Sequence, residues 1–495
     1  MSKSPPLILA AIFAVVLPVF AADDPKPISP QNTGVSYYKQ IWPIVQAKCV
    51  GCHQPVKKEA ELLMTSYEAI AKGGKTGVPW EPGEPDLSLI VQQISGAQPK
   101  MPKDAAPLSP MEVNLFRQWV AQGAKDDSPA IPKDPINAKN PPTYRTPPVI
   151  TALAYSNDGS KLAVSGYHEV LIHNADGSGL LARLIGESHR IESVVYSPVG
   201  DVIGVVGGFP ARFGEIQFWD ASKLTPINAV KVTFDTIYGA SFSPDGKFLA
   251  FGGADNSARI VSVPGCEQIM NFTNHNDWIF ATTWARDPKA PPANLPKNTD
   301  RANFVIPPDP KSTYLVTASR DKAIKLIQVE GVHGNFIDDV NNQVYDGWKC
   351  MTKHPKEQWV AVGGMDKIPR LFQVFQTQAR TMMREDYNLK RAFEAQAGPI
   401  MCIAFSPDGT KLAVGGGGEA RKENEVRIYN TADGKLSASL KGHIGGIYAL
   451  AYRPDGQQIA TGGFDGKVRL FNANDGVLVK EFVPVPIKQE VANKE

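Results

Sequence analysis

The sequence is short of the residue types that mark several common functions. Its 495 residues contain only five cysteines and eight histidines, and its 52 basic residues nearly cancel its 50 acidic ones. This balance gives no indication of a nucleic-acid-binding protein. The chain also shows no Ser-His-Asp pattern, no metal-binding cluster and no phosphate-binding loop, since the glycine run at 415–418 lacks the Lys-Ser/Thr of a P-loop.

Long hydrophobic runs are confined to the N-terminus. Lys3 precedes an apolar run at 7–20, and Ala21 and Ala22 come before two aspartates. As a helix the run would be about 21 Å long, short of the ~30 Å hydrocarbon core of a membrane. We therefore predict a secretory signal peptide over 1–22, with an uncleaved anchor as the alternative. The mature chain is expected to be periplasmic or otherwise exported and to have no transmembrane span.

Two of the cysteines belong to Cys49-Val50-Gly51-Cys52-His53, which is the attachment sequence of a c-type haem. Thiols at this spacing can add to the two vinyl groups of one porphyrin, and His53 then follows as the proximal iron ligand. Gly51 lets the backbone pass close to the ring edge. We predict one covalently bound haem c, attached through Cys49 and Cys52.

A zinc knuckle and a thioredoxin-like dithiol are the alternatives for this motif. Zinc would need two further soft ligands nearby, but the next cysteine is Cys266 and the next histidine is His168. A redox dithiol would need a βαβ unit, which the surrounding sequence does not indicate. Haem attachment also agrees with export, because it takes place outside the bacterial cytoplasm. The haem is therefore the favoured interpretation.

Three methionines after the motif are candidates for the second axial ligand. Met64 lies in an apolar run that is typical of a core, and Met111 lies in the first turn of a predicted helix. Met101 precedes a proline in a loop, from which its sulfur could reach the opposite face of the haem. We therefore predict Met101 as the distal ligand, with an open or differently ligated iron as the alternative. Ligation by His53 and Met101 favours electron transfer over oxygen chemistry.

Four helices are predicted around these residues. An amphipathic helix opens at 37–45 and leads into the haem motif, and a short one covers 66–72. A third covers 85–94, with Asp86 or Ser88 near its cap. The last helix begins with a capping box at 109–112 and stops at Gly123.

Five stretches of the region 35–126 form a specific pattern. They are Cys49-Val50-Gly51-Cys52-His53, Glu84 to Ile90, Lys100-Met101-Pro102, Leu108-Ser109-Pro110 and Trp119 to Ala124. On these residues the region resembles the planctomycete-type cytochrome c domain. The resemblance implies a small all-α, class I-like cytochrome c domain and also places the methionine ligand at Met101.

The rest of the chain begins with a linker and continues as a repeat. The linker at 127–148 contains seven prolines, which predict an extended, semi-rigid spacer. Beyond it, a unit of three short strands recurs, with turns such as Pro-Asp-Gly at 244–246, and the fourth unit carries an insertion at 287–311. Short strands at a repeat length of about 40–45 residues indicate a β-propeller.

The repeats resemble WD40 repeats, with one Trp219-Asp220 pair and Gly442-His443 before the last unit. We predict a multidomain chain in which an all-β, seven-bladed propeller at 149–484 follows the helical domain. Eight blades are the alternative.

The ends of the propeller carry a prediction about how it closes. Pro147 and Pro148 make the end of the linker a poor strand, because proline has no N–H to donate to a ladder. The final blade has its own candidate outer strand at 477–482, and a polar tail follows at 485–495. We expect the ring to close through side-chain packing between the first and last blades.

The first strand of every unit has a small residue at one equivalent position. These residues are Ala152, Ser193, Gly239, Ala281, Cys350, Cys402 and Ala449. Innermost strands crowd near a propeller axis, so Cys350 and Cys402 are expected to fill space. A disulfide between these neighbouring blades is the alternative. Cys266, after a turn, has no evident partner.

Two histidines are interpreted as structural. His275 is expected to pair with Asp321, and His443 is expected to hydrogen-bond Asp465 with Thr461 between them. In both pairs the histidine precedes the blade whose tight turn carries the aspartate.

Two functions agree with these motifs. The favoured one is an electron-transfer protein whose propeller docks a redox partner protein or holds the chain in a multiprotein assembly. The alternative is an oxidoreductase with a substrate or second-cofactor site in the propeller and the haem as relay. Two long turns at 209–213 and 419–423 open on one face, where Arg212 and Arg421 are predicted partner contacts. Solvated loops with no partner are the alternative there.

Overall fold

The structure is a computed structural model. It describes residues 34–50, 52–53, 59–103, 106–128, 136–286, 313–330, 333–341, 343–375, 388–417 and 422–488. The chain divides into two compact units, 1–51 with 66–130 and 52–65 with 131–495. The predicted signal peptide and the insertion at 287–311 lie outside the described residues. In the part of the chain that is described, no helix has the length and apolar character needed to cross a membrane.

The first unit is helical. A π-helical turn at Tyr37–Ile41 continues into α1 (Trp42–Lys48), and α2 (Tyr67–Ala71), α3 (Leu89–Ile94) and α4 (Pro110–Ala121) follow. Three of them lie where the sequence predicts them, and α3 covers only the second part of the predicted helix at 85–94.

Serine side chains lie at the beginnings of α3 and α4. Ser109 Oγ accepts from the Glu112 N–H at 3.2 Å and Glu112 Oε2 accepts from the Ser109 N–H at 2.7 Å, so the predicted capping box is confirmed. Helix α3 begins at Leu89 rather than at 85. The reason is Ser88, whose hydroxyl donates to the Glu84 carbonyl at 2.9 Å and holds residues 84–87 in turns.

Aromatic side chains form the core of this unit. The rings of Trp80 and Trp119 have centroids 5.0 Å apart, and those of Tyr37 and Tyr67 are 5.1 Å apart. Trp119 is buried, and its indole N–H donates to the Lys125 carbonyl at 2.9 Å. Large rings give a small helical unit much of its buried area, so this cluster is its main source of stability.

The second unit is an all-β region whose described strands form six antiparallel sheets. The first sheet has seven strands, β1 (Leu153–Tyr155), β2 (Lys161–Ser165), β3 (Tyr167–Asn174), β4 (Leu180–Tyr196), β5 (Val202–Phe209), β6 (Phe213–Asp220) and β7 (Pro226–Thr233). The second has β8 (Ile237–Phe242), β9 (Phe248–Gly253), β10 (Ala258–Ser262) and β11 (Gln268–Phe272). The third has β12 (Ile279–Arg286), β13 (Thr313–Ser319), β14 (Ile324–Glu330) and β15 (His333–Asp339).

The remaining three sheets are also four-stranded. The fourth has β16 (Trp348–Lys353), β17 (Trp359–Gly364), β18 (Arg370–Gln373) and β19 (Leu389–Ala392). The fifth has β20 (Ile400–Phe405), β21 (Lys411–Gly416), β22 (Glu423–Asn430) and β23 (Leu436–Ile444). The sixth has β24 (Ile447–Tyr452), β25 (Gln458–Gly463), β26 (Val468–Asn472) and β27 (Leu478–Phe482).

The sheets follow one another side by side. Their innermost strands contact each other in the order β1, β4, β8, β12, β16, β20 and β24, and β24 contacts β1 again. Apolar clusters fill the space between neighbouring sheets, as Val316 of the third sheet and Trp348 and Phe372 of the fourth show. Since central strands such as β17 are covered on both faces, they are almost continuously apolar in sequence.

The long strand β4 explains why the first sheet has seven strands. Its first part, up to Arg190, pairs with β3, and its last part, from Arg190 onward, pairs with β5. One strand therefore belongs to two successive strand groups.

The first and last sheets meet mainly through side chains, as the sequence predicts. Strand β27 pairs with β26, so the last sheet supplies its own outer strand. Tyr155 Oη donates to Gln458 Oε1 at 2.8 Å across this junction. The structure adds backbone contacts: a single-residue parallel bridge joins Tyr144 and Ile487, and the Ile150 N–H donates to the Gly463 carbonyl at 3.0 Å.

Candidate haem segment and central channel

The haem motif begins where helix α1 ends. Cys49 is the C-terminal cap of α1, and its N–H donates to the Val45 carbonyl at 2.9 Å. Cys52 and His53 belong to the segment 52–65, and Gly51 lies outside the described residues. His53 is only 7% exposed, and its carbonyl accepts from the Met64 N–H at 2.8 Å. The two cysteines are half-buried.

The three candidate methionines differ in environment. Met101 is half-buried in the loop between α3 and α4, and its N–H donates to the Gln93 carbonyl at 2.9 Å. Met111 is 74% exposed on the first turn of α4, whereas Met64 is buried. His53 and Met101 belong to different units, so their pairing on one iron stays a prediction.

The residues of the motif fit a c-type haem by their chemistry. Two partly exposed thiols two residues apart suit covalent attachment, and a buried imidazole next to them suits ligation of iron. A methionine thioether is the soft second ligand of many electron-transfer cytochromes, and Met101 remains the predicted one.

Comparison with known proteins agrees with this division of the chain. Residues 49–105 match the family described as Planctomycete cytochrome C. Residues 227–262, 387–430 and 434–472 match the WD domain, G-beta repeat. The chain is a fusion of a planctomycete cytochrome c segment with WD40 repeats. The resemblances found in the sequence are thereby confirmed.

The curated relatives are WD40-containing proteins of other organisms, and they match part of the chain. The nuclear distribution protein PAC1 of Coccidioides posadasii is 24% identical over 46% of this chain and 45% of its own length. The nuclear distribution protein nudF of Emericella nidulans is 25% identical over 45% and 47%. Cleavage stimulation factor subunit 50 of Arabidopsis thaliana is 24% identical over 48% and 47%. The chain spans about half the length of these relatives.

The innermost WD40 strands carry a feature that the sequence analysis missed. In six of them the ladder shifts register at the same place, so that an extra residue bulges out of the strand. A bulge re-aims a side chain. One side chain at this level is that of Thr151, which precedes β1. The others belong to the bulged residues Glu192, Tyr238, Phe280, Lys349, Met401 and Tyr448. We call these seven residues the channel ring, because all of them line a central cavity of about 250 Å³.

Two residues of the channel ring, Glu192 and Lys349, are charged, and Arg190 also lines the cavity. Arg190 Nε lies 2.7 Å from Glu192 Oε1. Lys349 Nζ lies 3.6 Å from the centroid of the Phe280 ring and 5.2 Å from that of Tyr238. Burial raises the pKa of Glu192, and it lowers the pKa of Lys349, because both charged forms lose water there.

The small residues predicted one position later are also present as expected. A Cβ on Gly239 would lie 2.3 Å from the Phe280 carbonyl oxygen, so a side chain there has no space. Cys350 and Cys402 are thiols that donate to two different carbonyls, those of Gly363 and Ile447. Burial raises the pKa of both, to about 12 for Cys350, so they are unreactive space-filling groups and form no disulfide.

The two structural histidines take slightly different partners. His275 Nδ1 lies 2.8 Å from Asp321 Oδ2, and its Nε2 lies 2.7 Å from a threonine hydroxyl, as expected. His443 Nε2 lies 2.7 Å from Thr461 Oγ1. The predicted hydrogen bond between His443 and Asp465 is wrong: Asp465 forms an ion pair with the buried Arg469 at 2.7 Å, because the guanidinium needs a counter-charge.

One of the two predicted docking loops is described. Arg212 lies with its guanidinium carbon 4.3 Å from the centroid of the Phe209 ring, and Asp235 accepts from the Ala211 N–H at 3.0 Å. The loop therefore holds Arg212 near the surface. Arg421 lies outside the described residues.

Proposed function

We propose that the chain is an exported c-type cytochrome that transfers single electrons through one covalent haem and docks its redox partner through a WD40 propeller. The observation that carries the proposal is Cys49-Val50-Gly51-Cys52-His53 within a segment that matches the cytochrome family. The haem would supply a one-electron couple. Cys49 and Cys52 would anchor the porphyrin, His53 and Met101 would hold its iron, and burial of His53 keeps water from the imidazole.

The architecture proposed for the WD40 region is a closed ring of seven blades at 149–484. If β4 is counted as the outer strand of the first blade and the inner strand of the second, the sheets resolve into seven four-stranded groups. The order of contacts among innermost strands supports closure. The domain limits at 35–126 and 127–148 are part of the same proposal.

The first experiment tests haem attachment. The full chain is exported to the periplasm of a host with cytochrome c maturation, and the visible spectrum, haem content and intact mass are measured. We expect the mass to rise by one haem, and loss of this rise in Cys49→Ala/Cys52→Ala. The matched control is Cys402→Ala, because Ala already stands at the equivalent position in other units. A wild-type chain without covalent haem would contradict the proposal, and a second chromophore would favour the oxidoreductase alternative.

The second experiment tests docking. Immobilised holoprotein is used to recover partners from a periplasmic extract, with Arg212→Glu as the variant. The control, Lys435→Glu, changes a lysine whose side chain is 80% exposed, in the β22–β23 turn. We expect recovery of a redox-active partner to fall only with Arg212→Glu. Equal recovery with both variants would remove this loop from the docking surface.

A further inference from the structure

Three charged side chains line the central cavity, those of Arg190, Glu192 and Lys349, and their charges do not cancel. Arg190 and Glu192 form an ion pair at 2.7 Å, so they compensate each other. Lys349 has no ion-pair partner among the described residues, and the contacts of its Nζ are the faces of Phe280 and Tyr238. The three charged side chains that line the central cavity therefore sum to one positive charge.

This ammonium group is also poorly hydrated. Its burial lowers the pKa of Lys349, even though the negative charge of Glu192 acts in the opposite direction. Contact with aromatic faces replaces lost water only in part. A negatively charged group placed beside Lys349 would supply what the protein itself does not.

The size and lining of the cavity limit the ligand. Its volume of about 250 Å³ leaves room for a small organic ligand. The rings of Tyr238, Phe280 and Tyr448 form its walls, and the two phenol hydroxyls can donate hydrogen bonds. A few polar groups in a partly apolar cavity are typical of a small-molecule site.

We propose that the central channel binds a small organic carboxylate, whose oxygens accept hydrogen bonds from Lys349 Nζ and from the hydroxyls of Tyr238 and Tyr448. The site is formed by strands of the WD40 region alone, so it does not depend on the haem or on electron transfer.

The test is calorimetric titration of the full chain with acetate, lactate and succinate at constant ionic strength. The matching neutral amides are the chemical controls. We expect saturable binding of at least one carboxylate and none of its amide. Lys349→Met keeps the length of the side chain and removes its charge, so it should weaken binding about tenfold or more.

Two further variants make the test specific. Lys390→Met removes a lysine that lies 4.5 Å from the Trp359 ring centroid, outside the channel ring, and should leave binding unchanged. Glu192→Gln removes the negative charge nearest the ligand and should tighten binding several-fold. If Lys349→Met does not fold, the effect of Glu192→Gln on carboxylate affinity tests the proposal in its place.

Three results would overturn the inference. They are no saturable binding of any of the three carboxylates, equal binding by wild type and Lys349→Met, and tighter binding of methylammonium than of the carboxylates.

Discussion

The buried ion pair between Asp255 and Arg259 gives a quantitative test of the WD40 packing. Arg259 Nη2 lies 2.6 Å from Asp255 Oδ2, and each side chain is only 1% exposed. Arg259 Nε and Nη1 have no hydrogen-bond partner among the described residues. Asp255→Asn would leave a buried guanidinium without a counter-charge, which costs about 3–5 kcal/mol.

The matched control is an ion pair of the same length on the surface. Lys231 Nζ lies 2.6 Å from Glu187 Oε2, with side chains 47% and 69% exposed. Glu187→Gln should cost about 0–1 kcal/mol, because water replaces the lost partner. The difference between the two variants therefore measures burial of the charge and not the distance between the atoms.

The assay is urea unfolding followed by far-UV circular dichroism, with midpoints compared at unchanged slope. Arg259→Met in the Asp255→Asn background should recover much of the lost stability, since it removes the uncompensated charge. Equal losses for Asp255→Asn and Glu187→Gln, or no recovery in the double variant, would refute the reasoning.

Three further predictions concern pH, the haem and the channel. Burial alone would raise the pKa of Asp321, but hydrogen bonds and a neighbouring imidazole lower it to about 2. Its contribution to stability is therefore complete above the pKa of an unfolded aspartate, ~4, and is lost as the pH falls towards 2. Asp321→Asn should flatten the fall of the urea midpoint between about pH 5 and 2, and an unchanged pH profile would contradict this. Met101→Ala should abolish the weak far-red band from methionine to iron, whereas Met111→Ala should retain it; persistence of the band in the first variant would place the ligand elsewhere. Gly239→Ala should lower the free energy of unfolding by about 1–3 kcal/mol, because its Cβ would meet the Phe280 carbonyl at 2.3 Å, and a thermal melt like that of wild type would contradict this.

Much of the helical unit is predictable because its signals are local. The capping box of α4 needs only Ser109 and Glu112 three residues apart, and its apolar positions repeat at helical spacing. Of the two cap candidates of α3, Asp86 and Ser88, the structure has Ser88 as the N-cap. The helix does not extend back to 85, because the hydroxyl of Ser88 bonds backward to Glu84 and competes with the helix.

The WD40 turns were predictable for the same reason. In the turn at 243–246, Gly246 has φ +70° and the Ser243 hydroxyl donates to Asp245 at 2.6 Å, so four consecutive residues define it. The continuity of β4 across two strand groups was not predictable from the sequence, because its two pairings depend on the strands on either side of it.

The sequence by itself determined the haem attachment motif, the helical segment and the repeat, because each depends on residue types at short, regular spacing. Only the tertiary structure decided which side chains meet at the centre of the WD40 region. Glu192, Phe280 and Lys349 belong to strands of three different sheets and share no residue type, so no pattern in the sequence relates them. They come together because bulges at equivalent places turn each side chain towards the same cavity, and that geometry exists only once the sheets have packed side by side.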